Sequence, residues 1–474
     1  LTPSTWDTTG APFRRTDGMG KAHLQLSPDL ALSGTVNGYR NRTTGRSNGE
    51  LGPQEDDIVD RTVNAGVSAD WRLRPTSALQ VRAYHARYDE ESTGFLAPPA
   101  STPLDPGALR ERLSKLDASF SQVIGSRQQL QVGAEWWHNT YDGINRLRND
   151  EAHEATTGVL WGQHRLTLHD RVTTTLGLRV DSHSEFGTAV SPKIAANARL
   201  TDVLRVRASA GRGFRAPDLG QLYYRFLNPT NFYQVIGNPN LDPEYANSYQ
   251  LGGEFTSRGR RARLGVNLFR NDVRDLIESV SLGFVATPAQ LQQIIEREGL
   301  DPSFRPVLGR LLFVYRNVSD VVTQGVELDG DLALARGLEV GGAYTWLDAR
   351  DEENDVRLTG RHAHQGHVRL GWTLHRLGLR ANLRGTFYSD WPVTRVTDST
   401  GSTVETIAPS FALWDAFVSM PVVRGLDAFL SIENLADSQD PNTGVILPNG
   451  SPAAIYRPDA GRTFRIGVRW NWHR

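Results

Sequence analysis

The chain has 474 residues, a formal net charge of −1, no cysteine, 45 glycines and 11 tryptophans, and 39% of its residues are apolar. Near-zero charge argues against nucleic acid as a partner, and no run approaches the roughly 18–20 apolar residues of a membrane helix. A β-barrel escapes that second exclusion, because only alternate residues of its strands face lipid.

The opening LTPSTWDTTGAPF has no basic head and no apolar core. It is not a signal peptide, so either a leader has been removed or the chain starts downstream of its natural start. The absence of cysteine fits an oxidising compartment without requiring disulfides. Strands are predicted near Lys21–Leu26, Ala31–Arg42, Ile58–Leu73 and Ala78–Tyr88. SPD makes a tight turn after the first, and NRTTGRSNGELGPQEDD reads as a long polar loop after the second. The rhythm continues. Short turns fall around Ser126, His169, Thr201, Ser257, Arg336, His375 and Arg424; long loops fall around Pro98, Asn149, Asn231, Gln292, Glu353, Ser399 and Asn449. Alternating short and long connections predict an all-β, transmembrane, antiparallel up-and-down barrel. A propeller would instead repeat itself at a fixed period, and no such period is present.

The strands carry the matching period-2 pattern. Phe464, Ile466, Val468, Trp470 and Trp472 share one face, and Thr463, Arg465, Gly467, Arg469 and Asn471 share the other. Leu204, Val206, Ala208 and Ala210 oppose Arg205, Arg207 and Ser209; Val326, Leu328, Leu332 and Leu334 oppose Glu327, Asp329 and Asp331. A charge at every second position is too costly for a dry sandwich core and implies a polar interior. A one-sided soluble sheet would explain any single strand, but not the repetition. Trp71, Trp372, Trp470 and Trp472 lie near short turns, where an aromatic girdle is expected. Trp136 and Trp137 read as the opposite girdle.

Two long loops have internal order. Gly211 to Gln250, GRGFRAPDLGQLYYRFLNPTNFYQVIGNPNLDPEYANSYQ, is broken by Pro217, Pro229, Pro239 and Pro243, which exclude a continuous element. In TPAQLQQIIEREG, Thr287 reads as an N-cap, Pro288 as the first helical residue and Gly299 as the stop. Leu291, Ile294 and Ile295 form its apolar stripe. A short helix over the barrel mouth is predicted, either touching a ligand or only packing down its own loop.

GFRAPDLGQLY followed closely by GNPNLDPE resembles the TonB-dependent outer-membrane receptors. FRNDVRDLIE (Phe269–Glu278), TQGVELDG (Thr323–Gly330), SIENLADSQ (Ser431–Gln439) and GRTFRIGVRWNW (Gly461–Trp472) resemble further landmarks in the family's order. The resemblance covers roughly residues 20 to 472 and implies a barrel of about 22 strands. Only about nineteen are visible, and the first and last share one sense, whereas an even-stranded barrel needs opposite senses. The expectation is therefore one outer-membrane barrel domain over residues 1–474, incomplete at its N-terminus by about three strands. The family's plug and energy-coupling box have no counterpart in it. Two open edges cannot face lipid, so either the missing strands come from elsewhere or the polypeptide is longer, and the second is expected. His473 and Arg474 after Trp472 displace the terminal aromatic usual in the family.

No catalytic constellation is present, neither a serine elbow nor a zinc-type His-Glu spacing, so no enzyme is expected. His362 and His364 would share a strand face, with His367 opposite; no metal site is assigned to them. Acidic runs at Glu55–Asp57 and Asp348–Asp355 are candidates for surface calcium, or for solvated loops beside lipopolysaccharide. Tyr223, Tyr224, Phe226, Phe232 and Tyr233 are candidate ligand contacts, since aromatics suit large, partly apolar ligands; packing against one another is their other reading. Some haem receptors of the family carry a histidine between the two loop motifs. Residues 218 to 237 contain none, which sets haem aside.

The resemblance implies a monomeric receptor in the bacterial outer membrane that takes up a ferric siderophore or cobalamin by TonB-dependent transport. Arg205, Arg207, Arg263, Glu327, Asp329, Arg465 and Arg469 would then face the plug in the lumen. A passive porin-like channel is the alternative.

Overall fold

A computed structural model describes residues 13–49, 52–96, 106–228, 233–318, 320–397, 403–423, 425–438 and 461–470. Among the described residues one sheet holds 20 strands; setting aside the two-residue Val356–Arg357 leaves 19. These run from Phe13–Ser27 to Thr463–Trp470, each antiparallel to the next in chain order. The count expected from sequence is met, and so are the short turns that link the strands in pairs. With an odd number of strands, the first and last run in the same sense. Among the described residues they are not paired with each other.

The wall has an apolar outside and a polar inside, as period-2 patterning requires. Leu160, Leu176, Leu178, Val190 and Ile194 project outward and are exposed, as are Phe464, Ile466, Val468 and Trp470. Such a surface belongs in lipid. Trp71 and Trp372 lie on it near short turns, as expected; Trp472 falls outside the described residues. No helix among the described residues is long and apolar enough to cross a membrane, which says nothing of a barrel.

Two expectations are corrected. The polar stretch 41–57 is not a long loop. Strands Leu30–Gly49 and Gly52–Arg74 pair out to Gly49↔Gly52, and Arg42 holds Asp57 at 2.7 Å. Beyond the lipid a strand needs no apolar face, so polarity there does not mark its end. Trp137 is not a girdle residue. It neighbours Trp136, so the two face opposite sides: Trp136 is exposed outward, and Trp137 lies inside beneath Lys115 and Arg179, 4.9 and 5.9 Å from its ring.

Buried apolar clusters sit at the long-loop end. There a four-stranded sheet runs in the order Arg225–Asn228, Tyr233–Ile236, Arg310–Val318, Leu276–Val285. The middle pair is parallel and joins segments far apart in the chain. Helix Pro288–Glu298 forms as predicted, with Thr287 and Gln290 in a reciprocal capping box and Gly299 closing it at φ 60°. Ile294 packs with Phe304, Ile236, Val285, Leu312 and Val314. The helix therefore packs down its own loop.

Candidate functional site

Helix Leu219–Tyr223 begins at Asp218, whose carboxylate accepts from Gln221 N at 2.7 Å. Arg215, three residues earlier, reaches Glu244 at 2.6 Å and Gln221 Oε1 at 3.1 Å. Glu244 also accepts from Ile277 N at 2.8 Å. FRAPD and NPNLDPE are thus two halves of one brace, which holds the loop layer to the barrel. Gly237 is required there: a Cβ would lie 2.6 Å from Leu222 O. Asn317 donates to Asp242 O and Asp275 O, tying in the third landmark. These motifs shape the layer and do not line an open surface.

The loop sheet has two unlike faces. Arg225, Gln234, Ile236, Arg310, Leu312 and Val314 are buried, and the apolar members of this face pack toward the long helix and Phe304. Phe226, Tyr233, Val235, Leu311, Phe313 and Tyr315 alternate with them and are half-buried. Their aromatic rings form a ladder. Tyr224 stacks on Phe226 at 5.7 Å, Phe226 meets Tyr233 at 5.9 Å, and Tyr233 meets Phe313 edge-on at 6.0 Å. Arg146, held by Glu90 at 3.0 Å, lies 5.3 Å over Phe226. The result is an aromatic surface with a fixed cation at its margin.

Three of the five aromatics singled out from sequence, Tyr224, Phe226 and Tyr233, lie together here, and Phe232 lies outside the described residues. Tyr223 points elsewhere, stacked on His153 at 3.5 Å and 3°. Tyr224 is shared with the buried group around Leu109, Tyr141 and Leu147. Burial pushes the hydroxyl pKa of Tyr223, Tyr224 and Tyr315 upward, so all three stay protonated donors. Phe313, Tyr315 and Arg146 were not singled out. The alternation in LLFVYRNV signals a strand, but nothing local says which strand it joins.

A neighbouring loop clamps the layer. Arg148 pairs with Asp301, donates to Ser303 Oγ at 2.8 Å and lies over Phe304. Hydrogen bonds from Ser303 hold the Asp301 carboxyl below its usual range. Arg225 reaches Asn145 Oδ1 at 3.2 Å.

Arg205, Arg207, Arg263, Glu327, Asp329, Arg465 and Arg469 all alternate with outward apolar residues and so lie on the inner face. Arg263 pairs with Asp329 and, at 3.3 Å, Asp331; Arg465 pairs with Glu433 at 2.7 Å. Glu327 accepts from Asn267 at 3.0 Å.

His362 and His364 do not share a strand face as expected. His362 precedes strand His364–Leu374 and packs against Trp391 and Tyr388, donating Nδ1–H to Ser389 O at 2.8 Å. His364 bonds Tyr344 at 2.7 Å. Of the acidic runs, Asp57 is engaged by Arg42, and Asp348 and Asp355 by Arg350 at 2.8 and 3.2 Å.

A family model described as TonB dependent receptor-like, β-barrel matches residues 3–435. A ferric enterobactin receptor of Pseudomonas aeruginosa is 24% identical over 422 residues, covering 80% of this chain and 52% of that relative. The vitamin B12 transporter BtuB of Photobacterium profundum is 24% identical over 289 residues, covering 60% of this chain and 41% of that relative. The chain thus spans about half the length of the curated relatives it matches. Among solved structures, a ferric enterobactin receptor from Pseudomonas aeruginosa superposes with TM-score 0.71 at 19% identity, covering 98% of this chain and 71% of that one. The copper transporter OprC superposes at 0.73 with 13% identity, covering 97% and 72%. At such identity these two likenesses speak for the fold alone.

Proposed function

The chain belongs to the TonB-dependent receptor β-barrel family of the outer membrane, and from that premise we propose that it is the barrel of a receptor taking up a ferric siderophore by energised transport. The observation that carries this reading is the aromatic face of the loop sheet, from Phe226 through Tyr233 to Phe313, with Arg146 at its margin. Rings of this kind receive a large ligand's apolar flanks, and a fixed guanidinium suits an anionic one. A plug in the lumen would meet the charged inner wall, and the energised inner-membrane complex would act on it through TonB. Cobalamin is the competing ligand. It is larger and less anionic, so it depends less on Arg146.

The test is uptake by cells carrying the whole protein, with radioactive iron as the siderophore complex or labelled cobalamin, with and without a protonophore. Iron uptake abolished by the protonophore, and weakened by Arg146→Gln, supports the proposal. Uptake of cobalamin alone replaces the ligand. Passage of solutes unaffected by the protonophore overturns energised transport and leaves a passive channel.

A further inference from the structure

Charges on the inner face of the wall are mostly paired. Lys115 and Arg179 share Glu135 at 2.8 and 3.1 Å, and Arg179 also holds Asp181. Arg82 holds Asp117 at 2.8 Å, and Arg369 reaches Asp331 at 3.2 Å. Some inner-face charges are not, Arg205 and Arg469 among them, and one group of inner-face cations without an ion pair among the described residues also surrounds a concavity. Across strands His153–His169, Val172–His183, Gly187–Arg199 and Leu204–Arg215, the wall carries a recess of ≈ 500 Å³ rimmed by Arg165, Lys193 and Arg207. Its floor is made of short side chains. Register explains this: Thr175, Ala195 and Ser209 stand side by side in adjacent strands, and Thr173, Asn197 and Arg207 form the next row. Gly252 adds room, since a Cβ there would lie 2.9 Å from Arg207 Nε. Among the described residues, none of the three cations meets a carboxylate. The nearby Glu327 is already bonded to Asn267.

Three like charges around a concave surface, backed by a low-dielectric wall, concentrate positive potential. Arginine forks, an ammonium, and the hydroxyl and amide groups of Thr173, Thr175, Ser209 and Asn197 supply convergent donors. We propose that this recess is an anion site of the lumen, taking a group with several carboxylate or phosphate oxygens. Such a group comes either from acidic side chains of polypeptide seated in the lumen or from a free solute. The site rests on the inner wall alone and stands whether or not the chain's ligand is a siderophore.

The test is calorimetric titration of the folded, detergent-solubilised chain with inorganic pyrophosphate, folding being checked by heat-modifiable gel mobility. One saturable, salt-sensitive site is expected. R165Q/K193Q/R207Q should lose at least about ten-fold in affinity, since several charge-assisted hydrogen bonds go. R82Q/K115Q/R369Q removes equal charge from paired positions and should stay within about three-fold, as should K193R. Absence of binding, or equal losses in the two triple variants, overturns the site. If the first triple variant does not fold, R207Q alone decides: it must weaken binding, while R82Q must not.

A carbodiimide on native outer membranes then separates the two sources. It activates a nearby carboxylate, and the Lys193 amine displaces the urea to form an amide. A Lys193 cross-link to an acidic peptide assigns the site to polypeptide. No such cross-link, together with pyrophosphate binding, assigns it to a free anion.

Discussion

In the barrel wall Leu160 is 67% exposed and Ile466 84%, whereas in the loop layer Phe304 is 1% exposed and Leu312 0%. The same residue types are used in opposite ways. The wall is held by strand pairing and turns its apolar side chains outward, where lipid completes their burial. The loop layer has no lipid and must build small cores of its own: the cluster under helix Pro288–Glu298, and a second one of Leu222, Leu241 and Ile277. Apolar side chains therefore specify position in the loop layer by packing, and in the wall only by side. It follows that the two regions should fail separately and for different reasons.

The largest expected effect tests the loop layer. Phe304→Ala empties the centre of its main cluster and should cost that layer about 3–5 kcal/mol. Limited proteolysis should then cut within residues 275–318, while heat-modifiable mobility still reports a folded barrel. Loss of the barrel as well would show that the two regions fold as one unit. Next comes Leu160→Arg, near the middle of its strand on the outer face, which should cost about 2–4 kcal/mol in lipid. It should lower the barrel's unfolding midpoint in bilayers without exposing the loop layer to protease. Glu244→Ala attacks the joint between them. It frees Arg215 and the Ile277 amide together, for about 1–3 kcal/mol. Loop protection should fall, and ligand affinity with it, at unchanged barrel stability. An unaltered cleavage pattern would mean that the brace does not hold the layer.

The wall was far more legible in the sequence than the loop layer. Period 2 and turn spacing are local properties, so the strand order and the inner placement of Arg207, Asp329 and Arg465 could be read directly. Trp137 was misplaced where loop proximity was allowed to outweigh parity with Trp136. The polar extension to Gly49 was missed because hydrophobic patterning stops at the edge of the lipid, while hydrogen bonding between strands does not. Helix Pro288–Glu298 was legible because its caps are local chemistry. The aromatic surface was only half legible. Tyr224, Phe226 and Tyr233 share one loop. Phe313 and Tyr315 join them through a parallel pairing of Tyr233–Ile236 with Arg310–Val318, and no short-range signal encodes that pairing. The recess around Lys193 needs at least four strands in register, which no single stretch of sequence displays.

The smallest effect sharpens the same contrast with pH. His153 stands at the loop end of its strand with its ring flat against Tyr223. Burial pushes its pKa below the ordinary value, and the nearby Arg148 pushes the same way against Glu151. Its buried Nε2 has no hydrogen-bond partner among the described residues, so a proton there would be buried unsatisfied. An opened loop regains the ordinary pKa of about 6.5 and so binds more protons than the closed one in the window below it. Closure is therefore unpenalised above that value and weakens as pH falls toward the depressed one. Hydrogen exchange of residues 219–228, corrected for intrinsic rates, should rise between pH 7.5 and 5.5, while strand amides of the wall stay protected. His183, which burial also depresses and which lies beside Phe186, titrates in the same direction and contributes a background. The informative quantity is thus the difference between the native chain and His153→Phe, which keeps a ring against Tyr223 and cannot take up a proton. A pH dependence that survives unchanged in that variant would assign it to His183 or to the loop carboxylates. A dependence that disappears would show that one stacked imidazole ties the loop layer to the strand end below it.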